Sequence, residues 1–256
     1  MAVVLNENKW AEEMLQGNDL GKKPAETFRR IARFYLDQGM SKKEVRVKLD
    51  EFLLQCDHRA SVVLWSDTLD YAYKKALKFD AITIDSIIIT KGEMKQIRAL
   101  SGKLLQRLAF TLLCLAKYWH EVIPDNQYWV NNKRTEIMSM ANIAVTMKKR
   151  CSLFYQLKEA GLIELSKKVD NTNVRVTFAE EGGESELIID DFRNLGYQYQ
   201  MYLGGPFFKC ERCGLTVKYT DPIRKKGKKY CNECAAEVDL QTRVNWVMSH
   251  RSSDIE

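Results

Sequence analysis

TMKKRCSLFYQLKEAGLIELSKKVDNTNVRVTF, residues 146–178, is the stretch on which the fold turns. Thr146 is a natural N-cap, because its hydroxyl can accept from a first-turn backbone N–H that has no helical partner. Met147, Cys151, Phe154 and Leu157 then recur at helical spacing and are expected to face inward. Gly161 suits the left-handed C-cap that ends such a helix. From Leu162 the pattern changes to β. Residues 163–169 and 174–178 read as two strands around the turn Asp170-Asn171-Thr172-Asn173, and Lys167, Lys168 and Arg175 make that hairpin basic.

Upstream, YWVN (residues 128–131) reads as a short extended piece. A helix holding Ile137, Met140 and Ala141 follows, then a turn at 142–145. Before these lies a predicted helix over 93–118, in which Leu105, Leu108, Ala109, Leu112, Leu113, Leu115 and Ala116 cover more than one face. A helix apolar on more than one side must be buried, so this one is expected at the centre.

Helix, turn, helix, Gly-Leu-Ile and basic hairpin is the order of a winged helix, and residues 93–178 resemble that superfamily. The resemblance implies that the second helix of the pair enters the DNA major groove while the hairpin follows phosphates or the minor groove. Carried onto this chain, the reading helix contributes Thr146, Lys148, Lys149, Ser152, Tyr155 and Gln156. The wing contributes Lys167, Lys168, Asn171, Asn173 and Arg175. Elementary electrostatics points the same way. Lys148, Ser152 and Tyr155 stand at i, i+4 and i+7, and cations at the positive end of a helix each cost a few tenths of a kcal/mol unless an anion offsets them. The same face could instead be a solvated helix start that contacts protein.

Charge by segment sharpens this. The 256 residues carry a formal +6, a mild bias toward polyanionic partners. Residues 1–90 balance at 14 basic and 14 acidic, whereas 91–178 hold 15 against 7; 179–205 hold 1 against 6, and 206–256 hold 10 against 7. The positive charge therefore sits in the segment with the winged-helix pattern.

Seven cysteines are present, and four form Cys210-x2-Cys213-x17-Cys231-x2-Cys234. Two such pairs match the tetrahedral preference of Zn²⁺, and four thiolates leave no open position, so one structural zinc is expected. A redox C-x-x-C is the competing reading. The 17 residues between the pairs read as a hairpin turning at Asp221-Pro222 or Gly227, followed by a helix through Val238, Val244 and Trp246. The module resembles a treble clef or zinc ribbon. Arg224, Lys225, Lys226, Lys228 and Lys229 on its hairpin could reach phosphates or form a solvated turn, and His250 reads as a surface residue. Cys56, Cys114 and Cys151 read as packing residues.

The N-terminal part reads as helical. Pro24 opens a helix with Phe28, Ile31, Ala32, Tyr35 and Leu36 on one face, Ser41 and Glu44 form a capping box, and Val45, Leu49, Phe52 and Leu53 line the next helix. A third helix is expected over 61–79, a strand over 82–90, and a second capping box at Thr90 and Glu93. Past the hairpin, residues 186–189 are expected to extend its sheet. Six aromatics between Phe192 and Phe208 have few basic neighbours, so they suit packing of the zinc module better than base stacking.

The expected fold is mainly α with small β: a helical domain over 1–90, a winged helix over 91–190, an aromatic connector over 191–205 and a zinc module over 206–256. No catalytic motif stands out, and the three His lie in none, so no enzyme is expected. The apolar start MAVVL is too short for a secretory signal, and the apolar run 108–116 falls short of the ~20 residues that span a bilayer, so a cytoplasmic location without a membrane is expected. The function expected is duplex DNA binding in transcriptional regulation or replication initiation, as in a phage or mobile-element protein. The alternative is an adaptor, loader or inhibitor of a nucleoprotein complex.

Overall fold

The structure, a computed structural model, describes residues 3–166, 173–219 and 227–251, with side chains to 248. It is mainly helical with small sheets and divides into two compact units, Met1–Ser86 and Ile87–Glu256.

The first unit holds four helices: α1 (Glu7–Gly17), α2 (Pro24–Asp37), α3 (Lys42–Cys56) and α4 (Val62–Ala76). Pro24 at the start of α2 loses no hydrogen bond there, and Ser41 with Glu44 closes the expected capping box on α3. Phe28 is fully buried, its ring edge-on to Phe52 and Trp65, with Ile31, Leu49, Leu53 and Leu69 around it. Glu7 is buried too. Its carboxylate accepts from Arg29 Nη2 at 2.7 Å and Arg30 Nε at 2.8 Å.

The predicted strand over 82–90 is split between the units. Ile82 and Ile84 hydrogen-bond to Glu7 and Leu5 in the first, while only β1 (Ile87–Thr90) forms a strand, in the second. That strand pairs antiparallel with β5 (Ser185–Ile189), Ile87 opposite Ile189. Residues 186–189 therefore do not extend the hairpin sheet. The predicted helix over 93–118 is likewise two, α5 (Lys91–Ala99) and α6 (Lys103–Val122). Leu100 is extended and Gly102 takes φ +102°, a conformation that interrupts any helix.

Helix α6 is the centre of the second unit, buried at Leu105 and from Arg107 through Ala116. After a 3-10 turn at Pro124–Asn126 come β2 (Trp129–Val130), α7 (Arg134–Met140), α8 (Met147–Glu159), β3 (Ile163–Leu165) and β4 (Val174–Val176). These strands form one antiparallel sheet in the order β2-β4-β3. Thr146 caps α8 through Lys149 N, and Gly161 ends it at φ +72°. The inward face of α8 is not the expected one. Leu153, Phe154 and Leu157 are buried, whereas Met147 is 74 % exposed and Cys151 is exposed. Six residues separate Cys151 from Leu157, about 120° around a helix, so the two cannot share a face.

The segment expected as a connector contains α9 (Leu195–Tyr202), which packs on α6. Tyr199 stacks on Phe110 and donates to Gln106, and Phe192 lies against Tyr118. The last elements are β6 (Phe207–Lys209), β7 (Thr216–Lys218) and α10 (Asn232–Arg251). The hairpin β6–β7 turns at the first cysteine pair and not, as expected, between the two pairs. Asp221, Pro222 and Arg224 to Lys226 lie outside the described residues. Among the described residues no helix is long and apolar enough to cross a membrane.

Candidate metal centre and basic face

The first cysteine pair sits in the turn between β6 and β7. Cys210 N donates to Leu215 O and Gly214 N to Cys210 O, which bends the chain back on itself; Gly214 has φ +72°, left-handed backbone that suits glycine. The second pair opens α10, with Cys231 just before the helix and Cys234 in its first turn. The four sulfurs lie within 4.8 Å of one another. All four are free thiols, and Cys213 Sγ stands 3.8 Å from Cys231 Sγ, far beyond the ~2.05 Å of a disulfide. A tetrahedral ion with bonds of about 2.3 Å to sulfur sets its ligands about 3.8 Å apart. The cluster could therefore hold a metal ion.

Its electrostatics agree. Burial opposes charge on Cys210, but the amides of Cys213, Cys231 and Arg212 outweigh it and bring the thiol down to about 6. Cys231 N reaches Cys210 Sγ at 3.3 Å, and Cys234 N reaches Cys231 Sγ at 3.4 Å. Burial pushes Cys213 and Cys234 upward instead, with the neighbouring thiols adding to the effect at Cys234. Four thiolates this close repel one another, and a cation is what relieves that.

The hairpin is braced against the helix pair by residues that the sequence pattern does not single out. Asn194, at φ +55°, donates to Thr216 O at 3.0 Å. Asn142, in the turn between α7 and α8, donates to Asn194 Oδ1 at 2.9 Å and accepts from Tyr197 N at 3.1 Å. Gly196 lets the two backbones touch, since a Cβ there would lie 1.9 Å from Ala141 O. Asn and Gly near turns are the only local signals for this junction.

Of the residues assigned to DNA reading, Thr146, Lys148, Lys149, Tyr155 and Gln156 lie exposed at or along α8, and Ser152 is half-buried, accepting from Gln156 Nε2. Lys148 and Lys149 have no carboxylate partner among the described residues, and the first turn of α8 carries no acid. Arg175 is engaged, with Nη1 3.3 Å from Glu164 and Nε donating to Gln127 O; Asn173 donates to Asn131. Lys167, Lys168 and Asn171 lie outside the described residues. In the cysteine module, Lys228 donates to Asn232 and Lys229 stands 3.5 Å from Glu211. The side chain of His250 is not described. Among the remaining cysteines, Cys114 is buried and Cys56 half-buried, its thiol pushed up to about 11 by burial. Comparison with family models, curated proteins and solved structures finds no match.

Proposed function

We propose that the second unit is a winged-helix DNA-binding module buttressed by a treble-clef or ribbon-like zinc site, with no catalytic role, acting in transcriptional regulation or replication initiation. The observation that carries the reading is α8 itself. It follows α7 across a short turn, presents Lys148, Lys149, Tyr155 and Gln156 to solvent, and starts with cations that no acid offsets among the described residues. The order α6, β2, α7, α8, β3, β4, with β2 closing on β4, supports the same topology.

Cys210, Cys213, Cys231 and Cys234 would hold the zinc, whose role is to fix the β6–β7 turn to the start of α10. Through Thr216, Asn194 and Asn142 that turn supports the loop from which α8 starts. Zinc then acts on DNA binding through position and not through chemistry.

A gel-shift series on duplex fragments, repeated across salt concentrations, tests the reading. Affinity is expected to fall steeply as salt rises, and Lys148→Ala/Lys149→Ala is expected to weaken binding and flatten the logarithmic slope by about 2, roughly 1 for each lysine that no longer meets a phosphate. No binding to any duplex at low salt would sink it. A protein-adaptor reading has one observation of its own: Leu240, Val244 and Val247 lie exposed at i, i+4 and i+7 on α10. Recovery of a stoichiometric protein partner that survives nuclease treatment, with no DNA affinity, would favour it.

A further inference from the structure

The second unit buries a cation that no carboxylate balances among the described residues. Arg107, on α6, is 9 % exposed, its Nε is buried without a hydrogen-bond partner, and no carboxylate pairs with the guanidinium among the described residues. Burial drives the group below its usual range, and Tyr197 opposes that shift without cancelling it. Buried arginines are ordinarily paired, because an unpaired buried charge is among the costliest features a fold can carry.

Arg107 lines a cleft of about 700 Å³ between α6, α9, the turn at Asn142 and the β6–β7 hairpin, within the range that small-molecule sites occupy. Lys103 and Lys218 stand at the same cleft, both exposed, and among the described residues neither has a carboxylate partner and no Asp or Glu lines the cleft. Two of the other polar side chains at the cleft are held within the fold. Gln106 donates to Leu100 O and accepts from Tyr199, and Asn142 is held by Asn194 and Tyr197. One wall is aromatic, with the rings of Tyr197 and Phe207 4.9 Å apart. Three cations match a dianion better than a single carboxylate, the guanidinium fork suits phosphate oxygens, and an aromatic wall suits a ring.

We propose that this cleft binds a small organic phosphate of the nucleoside monophosphate class, its phosphate held by Arg107 with Lys103 and Lys218 and its base against Tyr197 and Phe207. The site is separate from the cysteine cluster and from the exposed face of α8, and it stands whether or not the chain binds DNA.

Calorimetric titration of the full, metal-loaded chain with AMP, GMP, CMP and UMP tests it, with the matching nucleosides and inorganic phosphate as references. At least one monophosphate is expected to bind, and more tightly than its nucleoside or phosphate alone. Arg107→Met is expected to weaken it by tenfold to a hundredfold, the scale of a charge-assisted hydrogen bond. Lys103→Met/Lys218→Met, at two exposed positions that the fold does not need, is expected to weaken it by about tenfold and keeps the test available if Arg107→Met does not fold. No binding by any of the four overturns the proposal. So does equal binding by nucleoside or by inorganic phosphate, or binding that both variants leave unchanged.

Discussion

Both units bury arginine, and they treat it in opposite ways. In the first, Arg29 and Arg30 converge on the buried carboxylate of Glu7, which also accepts from Ile82 N. Burial works against the charge on Arg29, but Glu7 and Glu26 together outweigh it and the group ends above its usual range. In the second, Arg107 is buried to a similar degree with no carboxylate beside it among the described residues, and ends below. The first arrangement is complete without any other molecule and ties α1 to α2. The second leaves a charge at the wall of a cleft. Internal pairing marks architecture, and an unbalanced interior marks a place where something from outside belongs.

Metal removal should separate the units most sharply. Structural zinc in small modules contributes roughly 10–16 kcal/mol of apparent binding energy that is also folding energy. With a chelator, or in Cys210→Ser, backbone amides over 207–219 and at the start of α10 are expected to lose hydrogen-exchange protection, while those around Phe28, Leu49 and Phe52 keep theirs. Equal loss in both units would erase the distinction. Next in size is Glu7→Ala, which gives the first unit the defect that the second carries by nature. Removing one partner of a buried ion pair costs about 3–5 kcal/mol, and urea denaturation should read that loss. A cost near that of a surface substitution would show that water already compensates those arginines. Gly196→Ala comes third. Its new methyl would meet the backbone carbonyl of Ala141, which cannot rotate away, so α9 must shift from the α7–α8 turn at a cost of about 3 kcal/mol in the thermal transition of the second unit.

What can be read from the sequence is local. The caps at Ser41, Thr90 and Thr146 are signals over three residues, and each forms as read. The four cysteines come together because each C-x-x-C pair already fits one turn. What the sequence hides depends on distant partners. Strand β1 pairs with a segment about a hundred residues later, and nothing in IIIT names ELII as its partner. The pattern puts the cysteine hairpin between the pairs, with TVK seeking a mate downstream, whereas FFK, just upstream, takes it. Spacing groups Cys151 with Phe154, but the sheet and α6 cover the side of α8 that carries Leu153 and Leu157. Arg107 is invisible for a related reason. A lone cation in an apolar helix reads as its solvent edge, and only the packed structure shows that α9 covers that edge.

The smallest expected effect is also the one with an unusual sign. Arg107→Met keeps a flexible unbranched stem and removes the charged guanidinium. If Arg107 were architectural, as Arg30 is, the change would destabilise the second unit. If it is held in readiness for an anion, the protein without ligand bears the desolvation of an unpaired guanidinium, and its removal should raise stability by about 1 kcal/mol. The same substitution at Arg30 would remove one of the two guanidinium partners of the buried Glu7 carboxylate and must lower stability. Melting curves of the two variants, each against the parent without added nucleotide, therefore move in opposite directions if the comparison holds. A fall in both would make Arg107 a structural residue whose partner is water in the cleft.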